Sequence, residues 1–164
     1  MRTGFVPTAF SVIVDAGAPV PPASEDATAA RVRDAWRDAS DAQFARQIKE
    51  LFGHMSVKSD RLAPVVDEIV RSDRRAIGDV VYDLSVTAVR DELPRIRAPV
   101  LIILADGALQ DDFRRQAHAV RDHEVVVVPD TGHFVMIDDP PAFFAVIDDF
   151  LIKHPRGAHR LPES

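Results

Sequence analysis

The sequence contains no cysteine, and this absence removes several kinds of chemistry at once. Disulfide bonds, thiolate nucleophiles and cysteine-ligated metal sites are all excluded. Among the histidines, His118 and His123 are five positions apart across a predicted helix end, which is a poor spacing for two ligands of one ion. We therefore expect neither a metal site nor a cofactor.

The sequence also has fewer positive than negative charges, and it has no long apolar run. The chain has 20 lysines and arginines against 26 aspartates and glutamates, and its formal net charge is -6. A nucleic-acid partner is not expected, because binding to phosphates needs a surplus of cations to displace counterions. No apolar run approaches the roughly 20 residues of a membrane span, and the amino terminus lacks a signal-peptide pattern. These features predict a soluble, cytoplasmic protein with no membrane partner.

The most informative stretch that is present begins with four consecutive valines, 125–128, and continues through Gly132-His133-Phe134. An unbroken apolar run is typical of a parallel strand that is fully buried on both faces. The glycine permits a sharp turn, and open α/β sheets bind their ligands at the carboxyl ends of strands. Asp139, followed by two prolines, then predicts the start of a helix. The arrangement would present His133 as a catalytic base.

The first half of the chain contains one predicted strand and then helices. Residues 1–23 hold a short apolar strand that ends at Asp15 and a proline-rich connector. Residues 24–92 hold four predicted helices, and the second of them begins with a capping box formed by Ser40 and Gln43. An excursion of this length between two strands is typical of a lid or cap.

The second half of the chain alternates strand, helix, strand, helix. This pattern occupies residues 93–152, with strands predicted at Val100–Leu104 and Glu124–Val128, and residues 153–164 form a tail. Short loops between such elements are typical of right-handed parallel α/β units. The predicted fold class is α/β, with a partial parallel sheet of about three strands flanked by helices and a helical cap insertion.

Several large side chains of the predicted cap have two interpretations. They are Trp36, Phe44, Phe52, Met55 and Tyr82. They could line a substrate pocket under the cap, or they could be ordinary helix-packing residues. Aromatic spacing alone cannot separate these alternatives.

The chain from about residue 10 to residue 152 resembles the carboxyl-terminal half of an α/β-hydrolase, including its helical cap. The segments that carry the resemblance are 99–104, 125–129, 131–134, 139–144 and 147–151. In that family the histidine of the Gly-His turn after the last strand is the catalytic base, which corresponds to His133. The resemblance implies a serine-type hydrolase of small apolar substrates, such as an ester or a lactone.

The nucleophile motif of this family is missing. The family places its serine in Gly-x-Ser-x-Gly on a sharp turn between a strand and a helix, and no such motif occurs here. The nearest candidate is Ser56 in Gly53-His-Met-Ser56-Val-Lys58, where the spacing is wrong. We therefore expect that the amino-terminal half with the nucleophile is absent, through truncation, and that this chain is inactive alone.

Two alternatives to truncation follow from the exposed sheet edge that such a half would leave. The chain could pair there with a separate amino-terminal half, or it could form a homodimer. A function of another class is also open, because the chain could be a noncatalytic fragment of this fold or a protein-interaction module.

Several aspartates are candidates for the acid that would orient the histidine. The family position just beyond the penultimate strand falls on Ala108. Asp111 is the first candidate and Asp106 the second, because both flank that position. Asp15 and Asp112 are further alternatives, and an exposed loop aspartate can also be merely solvated. The acid would hold the imidazole tautomer and stabilise its charged form.

Overall fold

The computed structural model describes residues 11–14, 23–86, 90–107 and 110–155. Within these residues a parallel three-stranded sheet has the order β1-β2-β3. Its strands are β1 Ser11–Val14, β2 Val100–Ala105 and β3 His123–Val128. The strand predicted before Asp15 is thus present as β1, whereas Asp15 itself and the tail beyond residue 155 lie outside the described residues.

The α-helices of the described residues fall into two groups, four before β2 and three after it. They are α1 Ala23–Asp38, α2 Asp41–Gly53, α3 Ser59–Arg71, α4 Arg74–Val86, α5 Gln110–Ala117, α6 Val135–Asp138 and α7 Pro140–Lys153, with a 3-10 helix at Arg90–Arg95. The predicted helices are confirmed with small shifts at their ends. The one-turn helix α6 was not predicted, because four residues are too few to show a helical period.

Strand β2 lies at the centre of the sheet and is buried along its whole length. Its side chains alternate between two apolar clusters. Leu101 and Ile103 pack in one cluster with side chains of α7, and Ile102 and Leu104 pack in the other with side chains of α5. Helices therefore cover both faces of the sheet, as expected for parallel strands.

The strand with four valines is less buried than predicted. Val128 is buried, but the valines at 125–127 are only half-buried. Among the described strands β3 pairs with β2 alone, so no second strand covers its outer edge. The prediction of a fully buried strand was wrong for β3, and it describes β2 instead.

The cap, defined here as helices α1–α4, has a hydrophobic core of its own. Its buried members are Trp36, Ala39, Phe44, Ile48, Leu62 and Val66. The rings of Trp36 and Phe44 meet edge to face, with centroids 5.9 Å apart. For these two aromatics the helix-packing interpretation is correct.

The capping box predicted at the start of α2 is confirmed. The Gln43 backbone N–H donates to Ser40 Oγ over 3.3 Å, and the Ser40 backbone N–H donates to Gln43 Oε1 over 2.9 Å. These bonds satisfy two amides that the helix itself leaves without partners.

The cap meets the core where residues 55–58, called the cap loop, cross Gly132. A Cβ atom added at Gly132 would lie 2.6 Å from the carbonyl oxygen of Met55 and 3.0 Å from the Cα of Ser56. The backbone of Gly132 is not in the left-handed region, which among the described residues is occupied by Asp130 with φ of 56°. Gly132 is therefore required for the close approach of two backbones, and the turn itself uses Asp130.

We expect Ile48→Ala to destabilise the protein by about 2–5 kcal/mol, because the side chain is fully buried in the cap core and leaves a cavity. Ile152→Ala is the matched control, since the same atoms are removed from a side chain that is 76% exposed. The control should stay within about 0.5 kcal/mol of wild type. Urea unfolding measures both, and equal losses would contradict the burial of Ile48 in the cap core.

We also expect Gly132→Ala to cost about 1–3 kcal/mol of unfolding free energy, because the new methyl group would overlap the cap-loop backbone. Gly53→Ala is its control, since a Cβ there meets no atom within 4 Å. The control should be neutral or stabilising by up to about 1 kcal/mol. Thermal unfolding compares the two, and a harmless Gly132→Ala would refute the steric argument.

Candidate active site

The turn that carries His133 begins directly after β3. Thr131 is buried, and its Oγ1 donates to the carbonyl oxygen of Val128 over 2.7 Å. Asp130 adopts the left-handed conformation, which aspartate tolerates better than most residues. The hydrogen bond of the Thr131 side chain and the left-handed conformation of Asp130 together bend the chain away from the sheet.

His133 is exposed, while its neighbours turn inward. Its ring meets the ring of Phe134 edge to face at 5.0 Å, and Phe134 in turn packs against Phe52 of α2 at 6.0 Å. The candidate base therefore sits at the junction of sheet and cap, at the carboxyl end of β3. The partly buried Phe52 packs at this junction.

Asp138 is the most unusual residue beside this turn, because it is a carboxylate with 1% exposure. Its Oδ2 accepts from the backbone N–H groups of Gly132 at 2.7 Å and Val57 at 3.2 Å. Its Oδ1 accepts from the Ser56 hydroxyl and from the Lys58 backbone N–H at 3.1 Å. The four donors occupy the sites that a carboxylate offers.

The ionisation of Asp138 follows from these contacts. Burial raises the pKa of the carboxyl, but the hydrogen bonds from Ser56 and from the amides of Gly132, Val57 and Lys58 together lower the pKa below the ordinary value of an aspartate. Asp138 is thus ionised at neutral pH. Because its pKa is lower in the folded chain than in the unfolded chain, its stabilising contribution is present above the unfolded pKa and is lost as pH falls through the folded pKa.

Sequence reasoning missed Asp138, and no local signal could have found it. Its cap-loop partners lie about 80 positions earlier in the chain. Its neighbour Asp139 was correctly predicted at the helix start, since Asp139 Oδ1 accepts from the Ala142 N–H over 3.1 Å at the beginning of α7. Adjacent aspartates therefore have different roles.

Ser56 does not have the setting of a nucleophile. It is 9% exposed, its hydroxyl donates to Asp138, and its Oγ accepts from the Lys58 backbone N–H over 3.0 Å. A catalytic serine needs a base at its hydroxyl and an open path to substrate. Ser56 instead completes the shell of donors around a buried carboxylate.

The candidate acids lie at the same edge of the sheet as the Gly-His turn. Ala105 pairs with Val128, so the carboxyl ends of β2 and β3 are adjacent. Asp106 follows β2 directly, is exposed and accepts from Gln110 Nε2 over 3.4 Å. Asp111 is exposed in the first turn of α5. Asp15 and the side chain of Asp112 lie outside the described residues.

Within the described ranges, no group of three or more histidine, aspartate or glutamate side chains could hold a metal ion. No helix in those ranges has the length and apolar character needed to cross a membrane.

Comparison with solved structures shows what the chain is similar to. A thermophilic esterase from Thermogutta terrifontis matches with a TM-score of 0.75 and 16% identity, over 89% of this chain and 57% of that one. MenH from S. aureus matches with a TM-score of 0.71 and 15% identity, over 93% and 62%. The enol-lactonase from Burkholderia xenovorans LB400 matches with a TM-score of 0.62 and 19% identity, over 75% and 49%.

At such identities the likeness shows the fold, and this chain spans less than two thirds of the length of each of these structures. No curated protein matches the sequence. The model of the alpha/beta hydrolase family matches residues 3–146, which is most of the chain. The predicted fold is thereby confirmed, and the chain belongs to the α/β hydrolase family.

Proposed function

We propose that this chain supplies the histidine part of a serine-type hydrolase site, with His133 as general base for small, fairly apolar substrates such as an ester or a lactone. His133 would take the proton of a serine hydroxyl as that oxygen attacks the carbonyl carbon. It would then return the proton to the leaving group.

The observation that carries the proposal is the orientation of His133 relative to its neighbours. From residue 131 to residue 135, Thr131 and Val135 are buried, and Gly132 and Phe134 are partly buried against the cap. His133 is the exposed member of this segment. A rigid main chain that turns one imidazole outward, at the carboxyl edge of a parallel sheet, suits a base that must meet a substrate.

The surroundings of the turn favour an apolar substrate. Phe134 lies beside the imidazole, and Val57 of the cap loop is 61% exposed although its N–H is bound to the same carboxylate oxygen as that of Gly132. An exposed valine at this position offers apolar surface close to the proposed base. The esterase and the enol-lactonase that share the fold are consistent with acyl chemistry.

The nucleophile would come from outside these 164 residues, since they contain no Gly-x-Ser-x-Gly. An amino-terminal half, either encoded upstream or supplied as a separate chain, would pair along the edge of β1. A homodimer through that edge is the alternative partner. Reading the coding DNA upstream of Met1 for an in-frame Gly-x-Ser-x-Gly is the first test.

The protein to be tested is the one encoded by the open reading frame that includes Gly-x-Ser-x-Gly. In it we expect His133→Ala to lower kcat/KM for p-nitrophenyl butyrate at least about 10³-fold, because the serine loses its base. His118→Ala is the control, since His118 is also exposed but lies beyond α5. The control should retain activity within about twofold.

Three results would contradict the proposal or a part of it. A genuine start signal with no upstream motif would favour the noncatalytic alternative. Unchanged hydrolysis in His133→Ala would remove its role as base. Turnover by the 164-residue chain alone, abolished in His133→Ala, would show that the nucleophile lies within it.

A second experiment distinguishes the candidate acids. We expect Asp111→Asn to lower kcat about 10²- to 10⁴-fold in the same open reading frame, because the imidazole loses the partner that holds its tautomer. Asp106→Asn should change kcat less than about threefold, as usual for a solvated loop carboxylate. The opposite pattern would transfer the role to Asp106, and no loss in either variant would exclude both.

A further inference from the structure

We propose that Asp138 is a positioning residue that couples the cap loop to the turn of His133, so that the cap and the proposed base move as one unit. The inference rests on the proposed role of His133 and adds a residue to it. Three features of the described contacts support it.

First, the main chain is bound on both sides of His133. The Gly132 N–H donates to Asp138 Oδ2 over 2.7 Å, and the Phe134 N–H donates to the carbonyl oxygen of Met55 over 3.4 Å. One bond therefore goes to the carboxylate and the other to the cap loop. A shift of either partner would displace the residue between them.

Second, the one-turn helix α6 returns Asp138 to the turn. The N–H groups of Ile137 and Asp138 donate to the carbonyl oxygen of Phe134 over 2.8 and 3.0 Å. The chain from Gly132 to Asp138 is thus a closed loop that carries His133. Its short length leaves the carboxylate little freedom to follow a moving cap without moving the turn.

Third, the other donors to the carboxylate come from the cap loop, through the Ser56 hydroxyl and the N–H groups of Val57 and Lys58. The Lys58 ammonium also donates to the backbone oxygen of Asp138. The loop joins α2 to α3, whose side chains form much of the cap core. Displacement of these helices would therefore move the donors that bind the carboxylate.

Amide hydrogen exchange of the purified 164-residue chain tests the coupling and requires no catalytic activity. In Asp138→Asn an NH2 group replaces one carboxylate oxygen and the negative charge is lost. The donors of the replaced oxygen lose their acceptor, and the hydrogen bonds to the remaining oxygen are weakened because they are no longer charge-assisted. Exchange of the Gly132, Val57 and Lys58 amides should rise together, by about 10- to 100-fold. Asp139→Asn, which changes the adjacent N-cap of α7, is the control and should leave these amides unchanged.

Ser56→Ala is the decisive variant, because it alters only the cap side and removes a single hydroxyl. We expect exchange at Gly132 to rise about 3- to 10-fold, with a shift of the His133 ring resonances, assigned by comparison with His133→Ala. If exchange rises in the cap loop alone, while Gly132 and His133 are unchanged, the coupling is refuted. This variant keeps the test decisive if Asp138→Asn fails to fold.

In the longer protein that includes the nucleophile motif, Ser56→Ala should lower kcat more than it raises KM. The base would be displaced, whereas the apolar contacts with the substrate would persist. An unchanged kcat beside altered exchange would show that the coupling does not affect the reaction. Failure of the hydrolase proposal is read separately, from unchanged hydrolysis in His133→Ala.

Discussion

The structure around His133 depends on one buried charge that must be fully hydrogen-bonded. An ionised carboxylate that is removed from water is tolerated only when donors replace its hydration. Asp138 meets this condition with donors from two segments that are far apart in sequence, the cap loop and Gly132. The cap loop supplies three of these donors and Gly132 supplies the fourth, so neither segment alone satisfies the whole carboxylate. Docking of the cap and closure of the histidine turn are therefore linked thermodynamically, because each leaves the carboxylate partly unsatisfied without the other.

Steric packing reinforces the same junction. Two backbones approach so closely at Gly132 that a Cβ atom there would overlap the cap loop. Phe134 extends from the turn towards Phe52 of the cap. Thr131 and Val135 are buried on either side. His133 is turned outward because the positions around it are committed to packing or to hydrogen bonds. The exposure of the imidazole thus results from the constraints on its neighbours.

Much of the fold could be predicted from the sequence because its signals are local. The capping box at Ser40 and the aspartate before the prolines of α7 were recognised from a few adjacent residues, and both are present. Burial of β3 was misjudged because four valines do not reveal whether a strand has one neighbour or two. Asp138 was missed because its importance comes from partners about 80 positions away. The role of Gly132 was partly wrong for the same reason, since the atoms that require a glycine belong to the cap loop.

Family membership and local geometry contribute different parts of the functional argument. The family match establishes the fold and says nothing about whether any particular side chain is in place. The contacts around the turn show that the main chain beside His133 is held at both neighbouring amides. A general base gains from such rigidity, since a small displacement from the reacting proton is costly. The candidate acids Asp106 and Asp111 are both exposed, and among the described residues Asp106 accepts a bond from Gln110 Nε2 over 3.4 Å. The turn of His133 is therefore held more firmly than the candidate acids, because main-chain hydrogen bonds fix it on both sides of the histidine, whereas Asp106 accepts a single long side-chain bond at an exposed position.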